Sequence, residues 1–316
     1  MKGMVVALVV AAGLAACDGD GDGPTDDGAD HTYVLDEVAL PTNPSEAQTF
    51  GLDLDDRPGD GVDNQLGMLL GSIRTLAPDV DLQGGVDGQV DQGGIILLAN
   101  LRAPDLDNTA GAGLWIYEGV DAVPAPCADP ADEVCRRHLA GTGTFAVAPA
   151  AATDSKLVGR IVAATFRGGP GVFTLPLRLS NGPVFYLPLQ QARVELRVSA
   201  SGFGAGSKLG GALRGDDVDR ALVPGLHGSL AAWIDADCAG ARTPPSCGCE
   251  AGTQGAAVLA LLDGNDDCTA TLAEARAVID QLVTFDIDLD GDGGFDAFSI
   301  GVGLSAVEAA FAVPPR

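Results

Sequence analysis

Between residues 94 and 200 the chain is a succession of short apolar runs separated by turn-forming residues, with no helical periodicity between them. Asn181-Gly182-Pro183 is typical of these turns, and residues 193–198 alternate polar and apolar side chains, as a half-buried strand does. Consecutive short strands without intervening helices pair antiparallel. We therefore expect an α+β fold that is predominantly antiparallel β, with a sandwich or jelly-roll-like body and short helices. The predicted strands are residues 94–101, 113–118, 157–166, 172–179, 184–189 and 193–199.

Two other segments have distinct patterns. The glycine-rich stretch at residues 202–211 predicts a loop. Earlier in the chain, apolar residues recur at helical spacing and predict a helix: Leu66, Leu69, Leu70 and Ile73. Asp63 and Asn64 are good N-cap residues for this helix, and Pro78 marks its end.

The charge balance restricts the partners that the chain can bind. Its 316 residues include 44 Asp and Glu against 18 Lys and Arg, which gives a formal net charge of −26. Because such a polyanion repels phosphate backbones, nucleic acid is excluded as a main partner. The length suffices for one large domain or two ordinary domains, each with a hydrophobic core.

The N-terminal residues are typical of an export signal. Lys2 precedes an uncharged apolar run, residues 4–16, that is too short to span a bilayer as a helix. The run ends in Leu14-Ala15-Ala16-Cys17, which resembles the lipobox of bacterial lipoproteins. The resemblance implies that residues 1–16 are a lipoprotein signal peptide and that Cys17 becomes lipidated. An ordinary secretory signal and a short membrane anchor are the alternatives.

This resemblance implies an exported protein of the bacterial cell envelope, attached to a membrane through the lipid on Cys17. Whether that membrane is the inner or the outer one is left open. Residues 17–31 are dense in aspartate and glycine and lack apolar periodicity, so we expect them to form an acidic, flexible tether.

The cysteines after Cys17 agree with an oxidising compartment, where disulfides form. Their number is even: Cys127, Cys135, Cys238, Cys247, Cys249 and Cys268. Cys127 and Cys135 bracket a turn-forming stretch and are expected to pair. Cys247 and Cys249 are too close to pair with each other, so each is expected to reach Cys238 or Cys268, in an order left open. The competing zinc site would require C-x-x-C spacing or nearby histidines.

The most informative segment for chemistry is residues 263–274. Oxygen-bearing side chains occupy loop positions 1, 3, 5, 9 and 12, and position 7 would offer a backbone carbonyl: Asp263, Asn265, Asp267, Thr271, Glu274 and, for the carbonyl, Thr269. This segment resembles an EF-hand calcium loop, and residues 256–262 and 272–283 can form its flanking helices. Position 6 is Cys268, where that family has glycine. A β-carbon at the positive φ required there costs about 1–2 kcal/mol, and a disulfide could hold the turn.

A second acidic segment follows at Asp286, Asp288, Asp290, Asp292 and Asp296. Counted from Asp288, acids occupy positions 1, 3, 5 and 9, but position 12 is Ser299. Residues 298–304 alternate as a strand does. This segment therefore resembles the Asp-rich loops of dockerins and thrombospondin type 3 repeats more than a complete helix–loop–helix.

A third candidate comprises Asp53, Asp55, Asp60 and Asp63, where Arg57-Pro58 interrupts the pattern and requires a bulged loop. Closely spaced carboxylates raise one another's proton affinity and repel unless a divalent ion neutralises them. We therefore expect Ca²⁺ as the cofactor of all three segments. The expected body, residues 32–235, contains the third loop and the helix, and residues 236–316 form a calcium-loop module packed on it.

No common catalytic motif is present: the chain lacks G-x-S-x-G, H-E-x-x-H and S-x-x-K, and it has only three histidines. No catalytic residue is predicted. We expect a lipid-anchored, calcium-binding envelope protein with a structural or binding role, whose partner would be another envelope protein or a polysaccharide. The alternative is a calcium-dependent extracellular hydrolase that acts on a polymer such as polysaccharide. For carbohydrate binding, the candidate sugar platforms are Trp115, Tyr117, Tyr186 and Trp233, although core packing is the expected use of each.

Overall fold

The computed structural model describes residues 28–312, apart from residues 60, 130, 131, 133, 134, 150 and 152–154. The signal peptide, Cys17, Asp60 and most of the predicted tether lie outside the described residues. Strand pairing begins at Ala29, so residues 29–31 belong to a strand and not to the tether. The strands are β1 (Ala29–Ala39), β2 (Leu97–Ala103), β3 (Asn108–Val123), β4 (Gly143–Val147), β5 (Lys156–Val162), β6 (Thr165–Leu177), β7 (Phe185–Ser199), β8 (Gly202–Arg214) and β9 (Ala297–Phe311).

Eight of these strands form a closed antiparallel barrel. Around the ring the order is β1-β2-β3-β5-β6-β7-β8-β9, and β9 pairs again with β1. The strand β4 lies beside the ring, antiparallel to β3 and parallel to β9. The predominantly antiparallel β fold is confirmed. The two-sheet sandwich or jelly-roll-like body is corrected to one closed barrel, because the strands from the two ends of the chain join.

Short helices cover parts of the barrel, as expected. They are α1 (Pro44–Phe50), α2 (Gln65–Leu76), α3 (Leu82–Asp91), α4 (Gly215–Asp217), α5 (Val223–Asp237), α6 (Gln254–Leu262) and α7 (Leu272–Ile279). The predicted helix after Asn64 is α2, and the predicted flanks of the 263–274 segment are α6 and α7. In the part of the chain that the structure describes, no helix has the length and apolar character needed to cross a bilayer.

The strand predictions are confirmed where side chains alternate. They are wrong at the turn within residues 157–166 and in the glycine-rich stretch at residues 202–211. Residues 157–166 are two strands, because Ala163 and Ala164 both adopt positive φ (49° and 56°) and make a tight hairpin turn between β5 and β6. The stretch 202–211, predicted as a loop, is a strand within β8 that pairs with β7 and β9. Its small residues therefore serve close packing and not a flexible connection.

The disulfide prediction is confirmed for all described cysteines. Cys127 pairs with Cys135, Cys238 with Cys249, and Cys247 with Cys268. The last two bonds supply the order that the spacing left open. Cys238–Cys249 ties the end of α5 to the segment between α5 and α6, and Cys247–Cys268 ties that segment to the loop between α6 and α7.

The strand β9 has two unlike faces. Its large apolar residues belong to the main hydrophobic core: Phe298, Ile300, Val302 and Leu304. Its opposite face carries small residues, among them Ser299, Gly301 and Gly303. This small-residue face is the platform on which two of the three acidic segments lie.

Candidate metal centres

Close packing on β9 requires glycine at two positions. A β-carbon at Gly301 would lie 2.7 Å from the carbonyl oxygen of Phe50, and one at Gly303 would lie 2.7 Å from the Phe50 ring. Asn64 uses the space above Gly301: its Nδ2 donates to the Gly301 carbonyl at 3.0 Å and its Oδ1 accepts from the Gly301 amide at 2.9 Å. Asn64 therefore occupies the N-cap position of α2, but its side chain makes no capping hydrogen bond to that helix and binds Gly301 of β9 instead.

The third acidic segment of the sequence, residues 52–63, is a closed loop, here called the N loop. The Asp63 amide donates to the Leu52 carbonyl at 2.9 Å. The Asp63 carboxylate is buried, and its Oδ2 accepts from the Leu54 amide at 2.7 Å. Asp63 thus closes the loop through both its backbone and its side chain.

The second acidic segment, residues 287–296, closes in the same way and is called the C loop. The Asp296 amide donates to the Ile287 carbonyl at 2.9 Å. The Asp296 Oδ1 accepts from the Leu289 amide at 2.8 Å. Asp296 is therefore the counterpart of Asp63, and we refer to the two loops together as the paired loops.

The turns inside the paired loops also correspond. In the N loop, the Asp56 amide donates to Asp53 Oδ1 at 2.8 Å; in the C loop, the Gly291 amide donates to Asp288 Oδ1 at 2.8 Å. Asp56 and Gly291 both have positive φ, 55° and 76°. The shared sequence signal is short, Leu-Asp-Leu-Asp at residues 52–55 and Ile-Asp-Leu-Asp at residues 287–290. The two closing aspartates lie at different distances from this signal, so the repeat was missed from the sequence.

Carboxylates converge within each paired loop. In the N loop, ligand atoms of Asp53, Asp55 and Asp63 lie within 4.8 Å of one another. In the C loop, those of Asp288, Asp290 and Asp292 do the same. These are groups of hard oxygen donors, which suit a divalent cation such as Ca²⁺ or Mg²⁺.

Asp55, in the N loop, has a buried carboxylate oxygen whose hydrogen-bonding capacity is unsatisfied. Its side chain is only 9% exposed, and its Oδ2 is buried without a hydrogen-bond partner. The Nε of Arg57 forms an ion pair with this oxygen at 3.7 Å, which is beyond hydrogen-bond range. A buried carboxylate oxygen that accepts no hydrogen bond is costly unless a cation binds it.

The paired loops contact each other. Leu54, Ile287 and Ala297 form one small buried cluster against which Leu52 and Leu289 pack. The Arg57 guanidinium also lies 4.8 Å from the centroid of the Phe295 ring. Segments from opposite ends of the chain therefore form a single acidic surface.

Two further aspartates, Asp286 beside the C loop and Asp56 within the N loop, have altered proton affinity. Asp286 accepts hydrogen bonds from the Ser299 amide at 3.0 Å and the Ser299 hydroxyl at 2.5 Å. Burial raises the pKa of Asp286, and the charge of Asp55 acts in the same direction. Asp56 lies outside the carboxylate triad and binds Arg193 through both oxygens, at 2.9 and 2.6 Å, which lowers the pKa of Asp56.

The segment between α6 and α7, residues 263–274, is called the α6–α7 loop. Asp263 accepts from the amides of Asp267 at 3.0 Å and Cys268 at 2.8 Å, and Asn265 accepts from the Asp267 amide at 2.9 Å. Asp267 in turn accepts from the amide and hydroxyl of Thr269, and the hydroxyl lowers the pKa of Asp267. These side chains curl the backbone of their own loop.

The second half of the α6–α7 loop begins the helix α7. Thr271 and Glu274 form a reciprocal capping box, in which the Thr271 amide donates to Glu274 Oε2 at 2.9 Å. Glu274 Oε1 is buried and has no hydrogen-bond partner. Cys268 has a φ of 66°, as the loop position requires, and its disulfide to Cys247 holds it. Asp263 groups with these two sulfur atoms and not with other carboxylates.

Two of the three histidines and two of the candidate sugar platforms are buried or bonded to neighbouring protein groups. A ring nitrogen of His227 lies 2.8 Å from the Ala270 carbonyl oxygen. His138 is buried, which lowers its pKa. The hydroxyl of the exposed Tyr186 donates to Glu118 at 3.0 Å, whereas Tyr117 is buried. The hydrolase alternative therefore stays a prediction, with no specific contact in its favour.

The described residues thus offer two oxygen-lined groups on one surface and a third acidic loop between α6 and α7. Comparison with protein-family models, curated proteins and solved structures finds no match to this chain. The chemistry of the residues themselves is therefore what indicates a function.

Proposed function

We propose that this protein is a lipid-anchored, calcium-binding protein of the bacterial cell envelope, in which calcium stabilises the paired loops. The observation that carries the proposal is the position of Asp55. Its carboxylate is almost fully enclosed, one oxygen lacks a hydrogen bond, and Asp53 and Asp63 are within 4.8 Å. A divalent cation at this point would satisfy that oxygen and offset two of the three negative charges.

The donor set favours calcium over softer metals. The converging groups of the paired loops contain carboxylate oxygens alone, without histidine or thiol ligands. Calcium accepts six to eight oxygens in flexible geometry, which suits short loops whose backbone carbonyls can complete the set. Magnesium demands a more regular octahedron and dehydrates reluctantly, so it is the proper competing ion in any test.

The role that the site supports is structural. The N loop lies between α1 and α2 and is joined to β9 through Asn64, and the C loop leads directly into β9. An ion in either loop would bind the folded state alone and stabilise it by mass action. Calcium would thereby fasten both loops to the part of β9 that pairs with β8.

The α6–α7 loop supports a further, EF-hand-like site. Its helix–loop–helix order, positive φ at Cys268 and buried Glu274 Oε1 fit the pattern that the sequence predicts. Asp263 groups with two cysteine sulfur atoms and not with two further carboxylates, so an ion there would have to draw more oxygens inward. We expect this site to bind calcium more weakly than the paired loops.

Thermal unfolding of the protein from Gly28 onward tests the calcium role, because the barrel and its core lie within the described residues that follow Gly28. At a calcium concentration about 100 times Kd, one site adds about 2.7 kcal/mol, which raises Tm by roughly 4–5 °C over a chelator control. Magnesium at the same concentration should raise Tm less. Equal Tm values in calcium and in chelator would overturn the proposal.

The lipid anchor has its own test. Mass spectrometry of the protein purified from membranes should show an N-terminus at Cys17 with its acyl chains, and Cys17→Ser should release the protein from the membrane. An unmodified mature N-terminus would remove the anchor and leave the calcium proposal standing.

A further inference from the structure

The strands β5 to β8 differ in charge from the rest of the chain. Residues 156–214 contain eight of the 18 Lys and Arg but only one of the 44 Asp and Glu, Glu195, which gives this stretch a formal charge of +7. The whole chain has a formal charge of −26. The positive charge of a strongly acidic protein is therefore concentrated on one part of the barrel, where it attracts anionic groups.

Three arginines of this stretch project outward from adjacent strands. Arg160 of β5, Arg167 of β6 and Arg197 of β7 are exposed, whereas the apolar residues next to them along each strand are buried. Arg160 lies directly opposite Arg167, and like charges in that position destabilise a sheet. Glu195 forms an ion pair with Arg167 at 2.9 Å. Within the described part of the chain, no acid pairs with Arg160 or Arg197.

The chain enters β1 beside these arginines. Gly28 packs against the end of β2, where a β-carbon would lie 2.2 Å from the carbonyl carbon of Ala103. Asp30, the last aspartate of the acidic N-terminal residues, accepts hydrogen bonds from Arg102 of β2 at 2.8 Å and from the Asn100 side-chain amide at 3.2 Å. The bond from Arg102 lowers the pKa of Asp30. One of the N-terminal aspartates therefore already binds an arginine on the barrel surface.

Further aspartates of the same N-terminal residues are within reach of the other arginines. They lie outside the described residues and are Asp18, Asp20, Asp22, Asp26 and Asp27. Ten residues of chain, 18–27, can extend about 33–36 Å. Arg197 is the most distant arginine, four strands from β2, which is about 19 Å along the barrel at the usual strand spacing. The length of the chain before Gly28 thus suffices to cover all four arginines.

We propose that the acidic segment, residues 18–27, docks on the basic face formed by Arg102, Arg160, Arg167 and Arg197. This inference does not depend on calcium binding. A covalently attached segment has a high effective concentration at the face, so several weak ion pairs suffice to hold it. Polyanions in solution, by contrast, are repelled by the net charge of the chain. Docking would hold Cys17, with any lipid on it, next to the barrel wall.

The experiment locates the N-terminus of the protein from Asp18 onward by a paramagnetic label on its α-amino group. This chain lacks Cys17, so no lipid contributes, and a chelator keeps calcium from the aspartates. We expect the strongest relaxation of amide protons next to Arg160, Arg167 and Arg197 at low salt. Because the contact joins exposed charges, about 0.5 M salt should abolish this enhancement.

Variants on each side of the contact test its charges. Replacement of the five aspartates of the acidic segment by asparagine leaves the barrel unchanged and should abolish the enhancement. Arg160→Gln with Arg197→Gln should lower the ratio of docked to free segment about fivefold to tenfold. The matched control is Arg74→Gln with Arg220→Gln, which removes the same charge from helical segments and should leave the enhancement as in the wild type.

The outcomes separate the acidic segment from other occupants of the basic face. Uniform relaxation, or enhancement that persists at high salt or in the asparagine variant, would overturn the inference. Enhancement that grows with protein concentration would assign the face to a second copy and would also overturn it. A docked segment should compete with anionic lipid, so equal binding of phosphatidylglycerol vesicles by the proteins from Asp18 and from Gly28 onward would likewise overturn it. All of these results would leave the calcium proposal intact.

Discussion

The paired loops and the α6–α7 loop are both built from closely spaced aspartates, but only the paired loops bring three carboxylates together. In both regions a carboxylate accepts hydrogen bonds from its own loop, as Asp263 does from the Cys268 amide and Asp288 does from the Gly293 amide. In the N loop, Asp63 closes the loop and turns its carboxylate toward Asp53 and Asp55. The spacing of acids therefore predicts how a loop curls, whereas convergence of the acids depends on what closes it.

The constraint that shapes each region also differs. A disulfide through Cys268 holds the α6–α7 loop, and small residues of β9 hold the paired loops against the barrel. The first constraint is covalent and joins residues near in sequence. The second depends on the pairing of segments more than 230 residues apart. We expect the two regions to respond to different perturbations.

The largest effect is expected from removal of the Cys247–Cys268 disulfide. The bond closes a loop with a sequence separation of 21, and replacement of both cysteines by alanine should lower the free energy of unfolding by about 3 kcal/mol. Chemical denaturation in chelator measures the loss. Calcium binding by the paired loops should persist in this variant, and its loss would break the comparison.

A matched variant isolates the backbone at position 268. Cys247→Ala with Cys268→Gly should be about 1 kcal/mol more stable than the double alanine variant, because Cys268 has a φ of 66° that glycine adopts without a β-carbon penalty. Equal stability of the two variants would show that this backbone strain is absent once the disulfide is removed.

An intermediate effect is expected from the closing aspartates. Asp63→Ala leaves the buried Leu54 amide without its acceptor and should cost about 2–3 kcal/mol. Asp296→Ala removes the corresponding bond to Leu289, which is half-buried, and should cost about 1–2 kcal/mol. Asp63→Asn keeps an acceptor oxygen, so it should retain most stability in chelator and lose the stabilisation by calcium. Equal losses for the two alanine variants would contradict the greater burial assigned to the N loop.

The smallest effect is expected from Arg193→Met, which removes the ion pair with Asp56. The C loop has glycine at the corresponding position, so faster amide exchange should appear at Leu54 and not at Leu289. Because Arg193 lowers the pKa of Asp56, the folded state binds fewer protons than the unfolded state near the ordinary carboxyl pKa. The stability difference between wild type and variant should be present above about pH 4 and disappear as pH falls further.

A control for this amide-exchange result is Arg167→Met, which removes an ion pair with Glu195 between β6 and β7. It should leave amide exchange at Leu54 unchanged. Faster exchange at Leu54 in both variants would indicate a general effect of lost surface charge and not a property of the N loop.

The sequence predicts the local elements of this molecule well. Alternation predicts β9, helical spacing predicts α2, and spacing of the cysteines predicts which of them can pair. Closure of the barrel could not be predicted, because it depends on β1 pairing with β9 across the whole chain. The strand β8 could not be predicted because its glycines are typical of loops, although here they permit close packing of strands.

The candidate site was predicted in its residue types but not in its arrangement. The acidic segment with the most regular spacing, residues 263–274, does not gather three carboxylates, whereas the segment interrupted by Arg57 does. The insertion in the N loop conceals its likeness to the C loop, and Asn64 joins β9 instead of capping a helix. These features depend on tertiary contacts that no local pattern contains.

The most direct test of the calcium account is calorimetric titration of the protein from Gly28 onward with Ca²⁺. Three chains are compared: the wild type, a double variant of the paired loops (Asp55→Asn with Asp290→Asn), and Asp267→Asn in the α6–α7 loop. The account predicts that the double variant loses the tighter sites and that Asp267→Asn keeps them. The account would be contradicted if the wild type gave no saturable heat of calcium binding. It would also be contradicted if the double variant bound as many calcium ions as the wild type, with the same affinity.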